Sequence, residues 1–167
     1  MDRGRGTTEP LNQASEPGTP GTRNPGTDEV LAQSLLQART MAGVRDHTQL
    51  DAWKLSDQLR SEIYRLTRLR AFRTAPDLAR QVTNAAESAC ANIAEGFSRY
   101  LPNDFARFLR ISRGSLSEVV EHLTAGTRRE LLTELEIAPA LSLARRARGA
   151  STRLIRYLES ATAPGRD

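Results

Sequence analysis

Arginine is the residue type in this chain whose abundance points most directly to a chemistry. The sequence holds 24 lysines and arginines, and Lys54 is the single lysine among them. A guanidinium group presents a planar fork of donors that matches phosphate and carboxylate oxygens. Helical spacing puts eight arginines mainly on outward faces. These are the candidate nucleic-acid contacts: Arg65, Arg68, Arg107, Arg110, Arg145, Arg146, Arg153 and Arg156.

The charge is unevenly distributed along the chain. Residues 1–46 hold five arginines against six acidic residues, whereas residues 47–167 hold 19 basic residues against 14 acidic ones. Aromatic residues are not interleaved with the candidate arginines, so base stacking is not indicated. We therefore expect weak, poorly sequence-specific contact with the backbone of RNA or DNA. Two other interpretations stay open. One is a solvated face balanced by nearby glutamates, and the other is a genomic bias toward arginine codons.

A second set of candidate residues lies between positions 92 and 118. Asn92 and Glu95 could bind a ligand or line a pore, but buried polar groups need partners and are known to fix register. We therefore favour a structural role, in which Glu95 meets Arg113 or a backbone end and Gly114 allows close helix contact. The set is predicted to form a helix contact and an oligomer interface: Asn92, Glu95, Gly96, Phe97, Phe108, Arg113, Gly114, Ser115 and Glu118.

No catalytic or metal-binding pattern is present in the sequence. The glycines lack the spacing and the lysine of a phosphate-binding loop. His47 and His122 lack the Glu-x-x-His spacing of a metal site in a helical bundle. Cys90 lies among alanines and is predicted to be an inert core thiol. We therefore expect a non-enzymatic protein that uses no metal and no cofactor.

The composition favours helices. Aromatic residues make up only 5% of the 167 residues, so the core must come from aliphatic side chains. A single cysteine excludes an intramolecular disulfide and is consistent with a reducing compartment. The chain shows no secretion signal and no run of about 18 apolar residues. These patterns predict a cytoplasmic protein with no membrane partner.

Apolar periodicity predicts four helices and no strand. The first runs over about 49–70, with Trp53 as a core anchor. The second starts near Pro76 and the third at Pro102, because proline is tolerated in a first helical turn. Gly96 and Gly126 are predicted to end these two helices. The fourth runs over about 129–160, and Pro139 should kink or split it.

The predicted fold is all-α, an antiparallel up-down four-helix bundle over residues 47–162. Residues 1–46 are predicted to be a disordered tail because they are rich in Gly, Pro and polar residues. A short helix near 28–42 could dock on the body or on a partner, or could be marginal within a linker. Residues 163–167 are predicted to be a frayed C-terminus.

Several of these residues form a familiar pattern. Leu50-Asp51-Ala52-Trp53 is followed by Asn92-Ile93-Ala94-Glu95-Gly96-Phe97-Ser98-Arg99 and by Gly114-Ser115-Leu116-Ser117-Glu118. The pattern resembles the bacterial family of four-helix bundles known as intervening-sequence proteins of large-subunit ribosomal RNA. The resemblance covers about residues 49–158.

The resemblance implies an antiparallel bundle that assembles into a ring, typically a homopentamer. Relatives include the accessory variability determinant of diversity-generating retroelements, which partners a reverse transcriptase and nucleic acid. The chain departs from the family where Gln81-Val82 is followed by Thr83-Asn84 instead of two arginines, so any phosphate contact made there by relatives is missing. The Pro-rich N-terminal tail also has no counterpart in compact members.

Two functional hypotheses follow. The first is a homo-oligomeric accessory protein, pentameric by resemblance, that contacts RNA or DNA through outer arginines and partners a reverse transcriptase or another nucleic-acid enzyme. The second is a protein-interaction scaffold whose ring displays residues 1–46 to a protein partner and gains avidity from several copies.

Overall fold

The computed structural model describes residues 43–99 and 101–162, and this part of the chain is helical throughout, with no strand. After a short 3₁₀ turn, His47–Gln49, five helices follow: α1 (Asp51–Thr67), α2 (Arg70–Arg73), α3 (Pro76–Ser98), α4 (Pro102–Arg128) and α5 (Glu134–Thr162). The all-α prediction is confirmed. The predicted helix near 28–42, the preceding tail and the C-terminus at 163–167 lie outside the described residues.

The helix starts follow local sequence signals. Pro76 and Pro102 open α3 and α4 as predicted, because a proline there gives up only an N–H that has no partner within the helix. Helix α5 starts with a capping box. The Thr133 N–H donates to the Glu136 carboxylate at 2.7 Å, and the Glu136 N–H donates to the Thr133 hydroxyl at 3.3 Å. These reciprocal bonds fix the entry of the longest helix.

The first predicted helix is shorter than expected. Helix α1 ends at Thr67, and the chain turns through an extended Leu69 into α2. This turn buries Phe72, which is 3% exposed, in the core. Burial of an aromatic ring removes a large apolar area from water, and this outweighs continuation of one helical turn.

The prediction that the last helix starts near Arg129 is wrong. Glu130 adopts a positive φ of 56°, the Leu131 N–H donates to the Gly126 carbonyl, and the Glu130 N–H donates to the Thr127 carbonyl. This is the Schellman arrangement that ends helices. Helix α5 then begins five residues later than predicted and continues through Pro139, so of the two predicted effects of Pro139 the split is wrong and the kink stays a prediction.

Gly96 and Gly126 lie inside helices and do not end them, contrary to the prediction. A Cβ atom at Gly96 would lie 2.7 Å from Phe105 Cδ2 and 2.7 Å from Phe108 Cβ. One at Gly126 would lie 2.9 Å from Leu132 Cδ1. Gly96 is required because two phenylalanines approach the helix backbone closely, whereas the leucine side chain near Gly126 is flexible.

The four long helices pack around a shared core. Helix α3 packs on α4, α4 on α5, α5 on α1, and α1 on α3. One core cluster is built mainly from aliphatic side chains near the α2 end, including Leu59, Ile63 and Leu123. A second cluster, which includes Ile93, Phe105 and Leu109, lies toward the start of α1. The arrangement is compatible with a four-helix bundle and leaves one side of each long helix to solvent.

Candidate nucleic-acid interface

The outward side of α5 is a ridge of arginines. At about 100° per residue, the basic positions of this helix fall on one side and the small core positions fall on the other. The core side is buried, at Ala144, Ala147, Ala150, Ser151 and Leu158. The solvent side is exposed and carries Arg145, Arg146, Arg148, Arg153 and Arg156. Four of these residues, Arg145, Arg146, Arg153 and Arg156, are among the arginines that helical spacing put on outward faces.

A basic groove lies between this ridge and α1. The cavity has a volume of about 510 Å³ and is lined by Asp51, Lys54, Leu55, Gln58, Arg145, Arg146, Gly149 and Arg153. We call these residues the basic groove. Its lining contains four cationic side chains and a single carboxylate, that of Asp51. The excess of positive charge in a concave surface favours an anionic ligand.

Six arginines outside α5 pair with carboxylates in the described chain. Arg65 makes two hydrogen bonds to Glu62, at 2.9 and 2.7 Å, and Arg110 pairs with Glu159 across α4 and α5. The other arginine–carboxylate pairs are Arg60–Asp57, Arg80–Asp77, Arg99–Glu95 and Arg128–Glu121. Within residues 43–99 and 101–162, no ion pair involves an arginine of α5.

The eight predicted arginines therefore separate into two groups. Arg145, Arg146 and Arg153 meet in the basic groove, and Arg156 lies on the same side of α5. The other four do not line this groove: Arg65 and Arg110 hold carboxylates, the Arg107 guanidinium lies 5.9 Å from the Phe108 ring centroid, and Arg68 caps the end of α1. The carboxylates held by Arg65 and Arg110 offset the charge of these two arginines.

The sequence analysis missed Lys54 and Arg148 as candidate residues. Lys54 shares a stripe of α1 with Asp51 and Gln58, because residues three, four and seven apart lie on one helix face. Arg148 lies next to Arg145 on the solvent side of α5. Reading both helices for polar positions at this spacing would have identified the two residues.

The Asn92 region forms a polar contact between α3 and α4. The Asn92 side-chain amide donates to the Ser88 carbonyl at 2.8 Å and to the Ser88 hydroxyl at 3.1 Å. The Ser88 and Ser115 hydroxyl oxygens lie 2.9 Å apart, and Ser112 donates to the Ala89 carbonyl at 2.9 Å. These bonds satisfy buried polar atoms and hold the two helices in one register.

Glu95 is placed differently from the prediction. Its side chain is half-exposed and pairs with Arg99 on the same helix, not with Arg113. Arg113 instead lies beside α5, where it lines a cavity with Arg145 and Arg148. A pair four residues apart on one helix is geometrically the simplest for Glu95, and it frees Arg113 for another partner.

Aromatic residues close the end of α3 against α4. The Phe97 and Phe105 rings meet edge to face with centroids 6.0 Å apart, and the Arg99 guanidinium lies 5.1 Å from the Phe108 ring centroid. Gly114, predicted to make a close contact, is exposed, and a Cβ there would meet no atom within 4 Å. Glu118 is also exposed.

The single cysteine of the chain is not activated as a nucleophile. Cys90 is a free, buried thiol, and burial raises its pKa to about 11. A protonated thiol is a poor nucleophile. No group of three or more His, Cys, Asp or Glu side chains comes together as a metal site within the described ranges. None of the described helices is both long and apolar enough to cross a membrane.

Comparison with protein families gives one result for this chain. The family model for the 23S rRNA-intervening sequence protein matches residues 48–150, which include α1 to α4 and more than half of α5. No curated protein matches the chain. The matched region contains Lys54, Arg145 and Arg146 of the basic groove, whereas Arg153 lies just beyond it.

Proposed function

Because the chain belongs to the family of 23S rRNA-intervening sequence proteins, we propose that it is a non-enzymatic accessory protein that binds RNA through the basic groove. DNA of similar backbone charge is the weaker candidate ligand. The observation that carries the proposal is the contrast in pairing. Several arginines on α1, α3 and α4 hold carboxylates. Among the described residues no arginine of α5 does so, and three of them line a groove with one acid. Phosphate oxygens of an RNA backbone are suitable hydrogen-bond acceptors for the guanidinium groups of α5.

Backbone contact explains the residue types in the groove. Phosphate contacts carry little sequence information, so a surface built from arginine and lysine binds many sequences. Leu55 is the one apolar side chain in the lining, and no aromatic ring is present there to stack on a base. The proposed binding is therefore electrostatic, weakly sequence-selective and sensitive to salt.

A groove variant with a matched control tests this proposal. Lys54→Gln, Arg146→Gln and Arg153→Gln together remove three charges from the groove. Arg68→Gln, Arg70→Gln and Arg73→Gln remove three charges from exposed positions around α2. We expect the groove variant to bind a structured RNA at least tenfold more weakly than the control at about 0.1 M salt. Equal affinity of the two variants would rule out the groove as the RNA site.

We also propose that the fold is a closed, antiparallel up-down four-helix bundle that assembles into a homo-oligomer, a pentamer by family resemblance. The cycle of packed helices supports the closed bundle. On α4, Ile111 is 42% exposed and Gly114 has open space beside it, and these residues give α4 a small, partly apolar outer face. Repetition of the groove around a ring would multiply its positive charge and favour binding of a polyanion. We propose that this binding takes place in the cytoplasm.

Light scattering on the full chain tests the assembly. We expect a mass several times that of one chain, and we expect Ile111→Asp to lower it while the helical circular dichroism is unchanged. A monomeric wild-type protein would contradict the homo-oligomer. An oligomer unaffected by Ile111→Asp would place its interface on another surface.

A second candidate function, a scaffold for a protein partner, is favoured by a partly apolar cavity at the start of the described chain, which shares Asp51 and Arg153 with the basic groove. The cavity measures about 350 Å³, and its lining includes Val44, Leu50, Ala150, Leu154 and Tyr157. A protein partner that binds residues 1–46, such as a reverse transcriptase, would also contact this cavity, because Val44 lines it. Deletion of residues 1–42 should abolish recovery of such a partner and leave RNA affinity intact, whereas unchanged recovery would contradict the scaffold.

A further inference from the structure

A second concave site lies on the other flank of the α5 ridge, between α4 and α5. Its lining consists of Arg113 from α4 and Arg145, Arg148, Gly149 and Thr152 from α5, and its volume is about 310 Å³. We call these five residues the arginine pocket. Three of the five carry a guanidinium group, and no carboxylate is present in the lining.

Three like charges around one small cavity are unfavourable unless an anion joins them, because repulsion between cations grows as their separation and the dielectric constant fall. Other arginines of α4 have partners that offset their positive charge. Arg110 pairs with Glu159, Arg128 pairs with Glu121, and Arg107 lies near the Phe108 ring. Arg113 pairs with no carboxylate among the described residues. Glu95 and Glu118 belong to the same sequence motif, and neither of them pairs with Arg113.

We propose that the arginine pocket is a phosphate-binding site. Guanidinium forks from two helices can donate to several oxygens of one tetrahedral anion, and such charge-assisted, bidentate bonds are stronger than neutral ones. The Thr152 hydroxyl already donates to the Arg148 carbonyl at 2.8 Å. Its proton is therefore used within the helix, and recognition depends on the arginines.

The arginine pocket deepens the proposed function, because it shares Arg145 and Gly149 with the basic groove. Gly149 carries no side chain, and the Arg153 guanidinium lies beside it, 3.6 Å from where a Cβ atom would be. A strand whose backbone follows the basic groove can therefore place one phosphate in the arginine pocket. The phosphate belongs either to the end of a strand or to its interior, and both share the same tetrahedral oxyanion chemistry.

Inorganic phosphate, added to the full chain without RNA, tests the site independently of RNA binding. Ionic strength is held constant with sodium chloride. At ten times the dissociation constant we expect the midpoint of thermal unfolding to rise by about 2–5 °C. Arg113→Gln with Arg148→Gln should lose this shift, and the matched control, Arg70→Gln with Arg73→Gln, should keep it.

Either of two results with these three proteins would overturn the proposal. An absent shift in the wild type shows that no site exists, and an equal shift in all three proteins shows only the general stabilising effect of phosphate as an excluded solute. If the glutamine variant does not fold, Arg113→Lys with Arg148→Lys preserves the charge and removes the fork. It should lose more than half of the shift, and full retention would also overturn the proposal.

A pair of RNAs identifies the source of the phosphate. The two have the same sequence and differ only in a 5′-phosphate or a 5′-hydroxyl. At least threefold tighter binding of the phosphorylated strand, lost in the Arg113→Gln, Arg148→Gln variant, assigns the site to a strand end. Equal binding of both strands, weakened alike in that variant, assigns it to an internal phosphate. If neither RNA binds while inorganic phosphate does, the proposed function fails and the phosphate site stands.

Discussion

Ser88 on α3 and Ser115 on α4 face each other with their hydroxyl oxygens 2.9 Å apart. Ser88 also accepts a hydrogen bond from the Asn92 amide, so the contact joins the Asn92 segment to the Gly114-Ser115 segment. These two segments carry the resemblance to the family. Their shared hydrogen bonds explain why small polar residues occupy both.

A double-mutant cycle tests this contact. Ser88→Ala and Ser115→Ala should each lower the free energy of unfolding by about 0.5–1.5 kcal/mol, because each removes a partly buried hydrogen bond. The double variant should lose less than the sum by about 0.5 kcal/mol or more, since the second substitution has no shared bond left to break. Urea unfolding measures the three values, and strict additivity would show that the two hydroxyls do not interact.

Gly96 and Gly114 form a matched pair with opposite expected outcomes. Gly96→Ala should destabilise the fold by about 1–3 kcal/mol, because its Cβ would lie 2.7 Å from atoms of Phe105 and Phe108. Gly114→Ala should stabilise the chain by about 0.5–1 kcal/mol, because the site is open and alanine is the better helix former. Denaturant unfolding measures both changes in stability. Changes in the same direction in the two variants would contradict these roles of Gly96 and Gly114.

The capping box at the start of α5 makes stability depend on pH. Hydrogen bonds from the backbone and side chain of Thr133 lower the pKa of Glu136 below its ordinary value of 4.5. The unfolded chain therefore takes up this proton at a higher pH than the folded chain. The resulting stabilisation is complete above pH 4.5 and disappears as the pH falls through the lower, folded-state pKa.

Glu136→Gln isolates this effect, since glutamine keeps the shape of the capping residue without its charge. The wild type should be more stable than the variant at neutral pH, and the difference should shrink toward zero as the pH falls below 4.5. Thermal unfolding across pH 3–7 gives both curves. A difference that is constant over this range would contradict the role of the carboxylate.

Cys90 should react slowly with thiol reagents in the folded protein. Burial raises the pKa of its thiol to about 11, so little thiolate is present at pH 8 and access is poor. Addition of urea should speed labelling by at least a hundredfold. If the native protein were labelled as fast as the unfolded protein, the buried side of α3 around Cys90 would be accessible to the reagent.

The helix starts could be predicted because they have local causes. Pro76 and Pro102 mark first turns whatever the rest of the chain does. The helix stop at Glu130 could not be predicted, because glutamate rarely adopts a positive φ. It does so here in the turn that leads to Leu132. Gly96 was misjudged for a related reason. Its requirement comes from Phe105 and Phe108, which the fold brings back against α3.

The candidate site was predicted in part. Spacing alone put Arg145, Arg146 and Arg153 on one side of a helix, and the structure gathers them in one groove. The Arg65–Glu62 pair is local, since its residues lie three apart on one helix. Spacing alone could not show that Arg110 pairs with Glu159, because the two lie 49 residues apart in the sequence. For the same reason the position of Arg113 beside α5 depends on helix packing and is not visible in local sequence.

The salt dependence of RNA binding tests the central claim most directly. The logarithm of the association constant is measured against the logarithm of salt concentration for the wild type and for the Lys54→Gln, Arg146→Gln, Arg153→Gln variant. Each lost phosphate contact reduces the slope by about 0.7–0.9, so the variant slope should be shallower by about 2–3. Parallel lines with the wild-type slope in both proteins would show that the basic groove does not hold the RNA backbone.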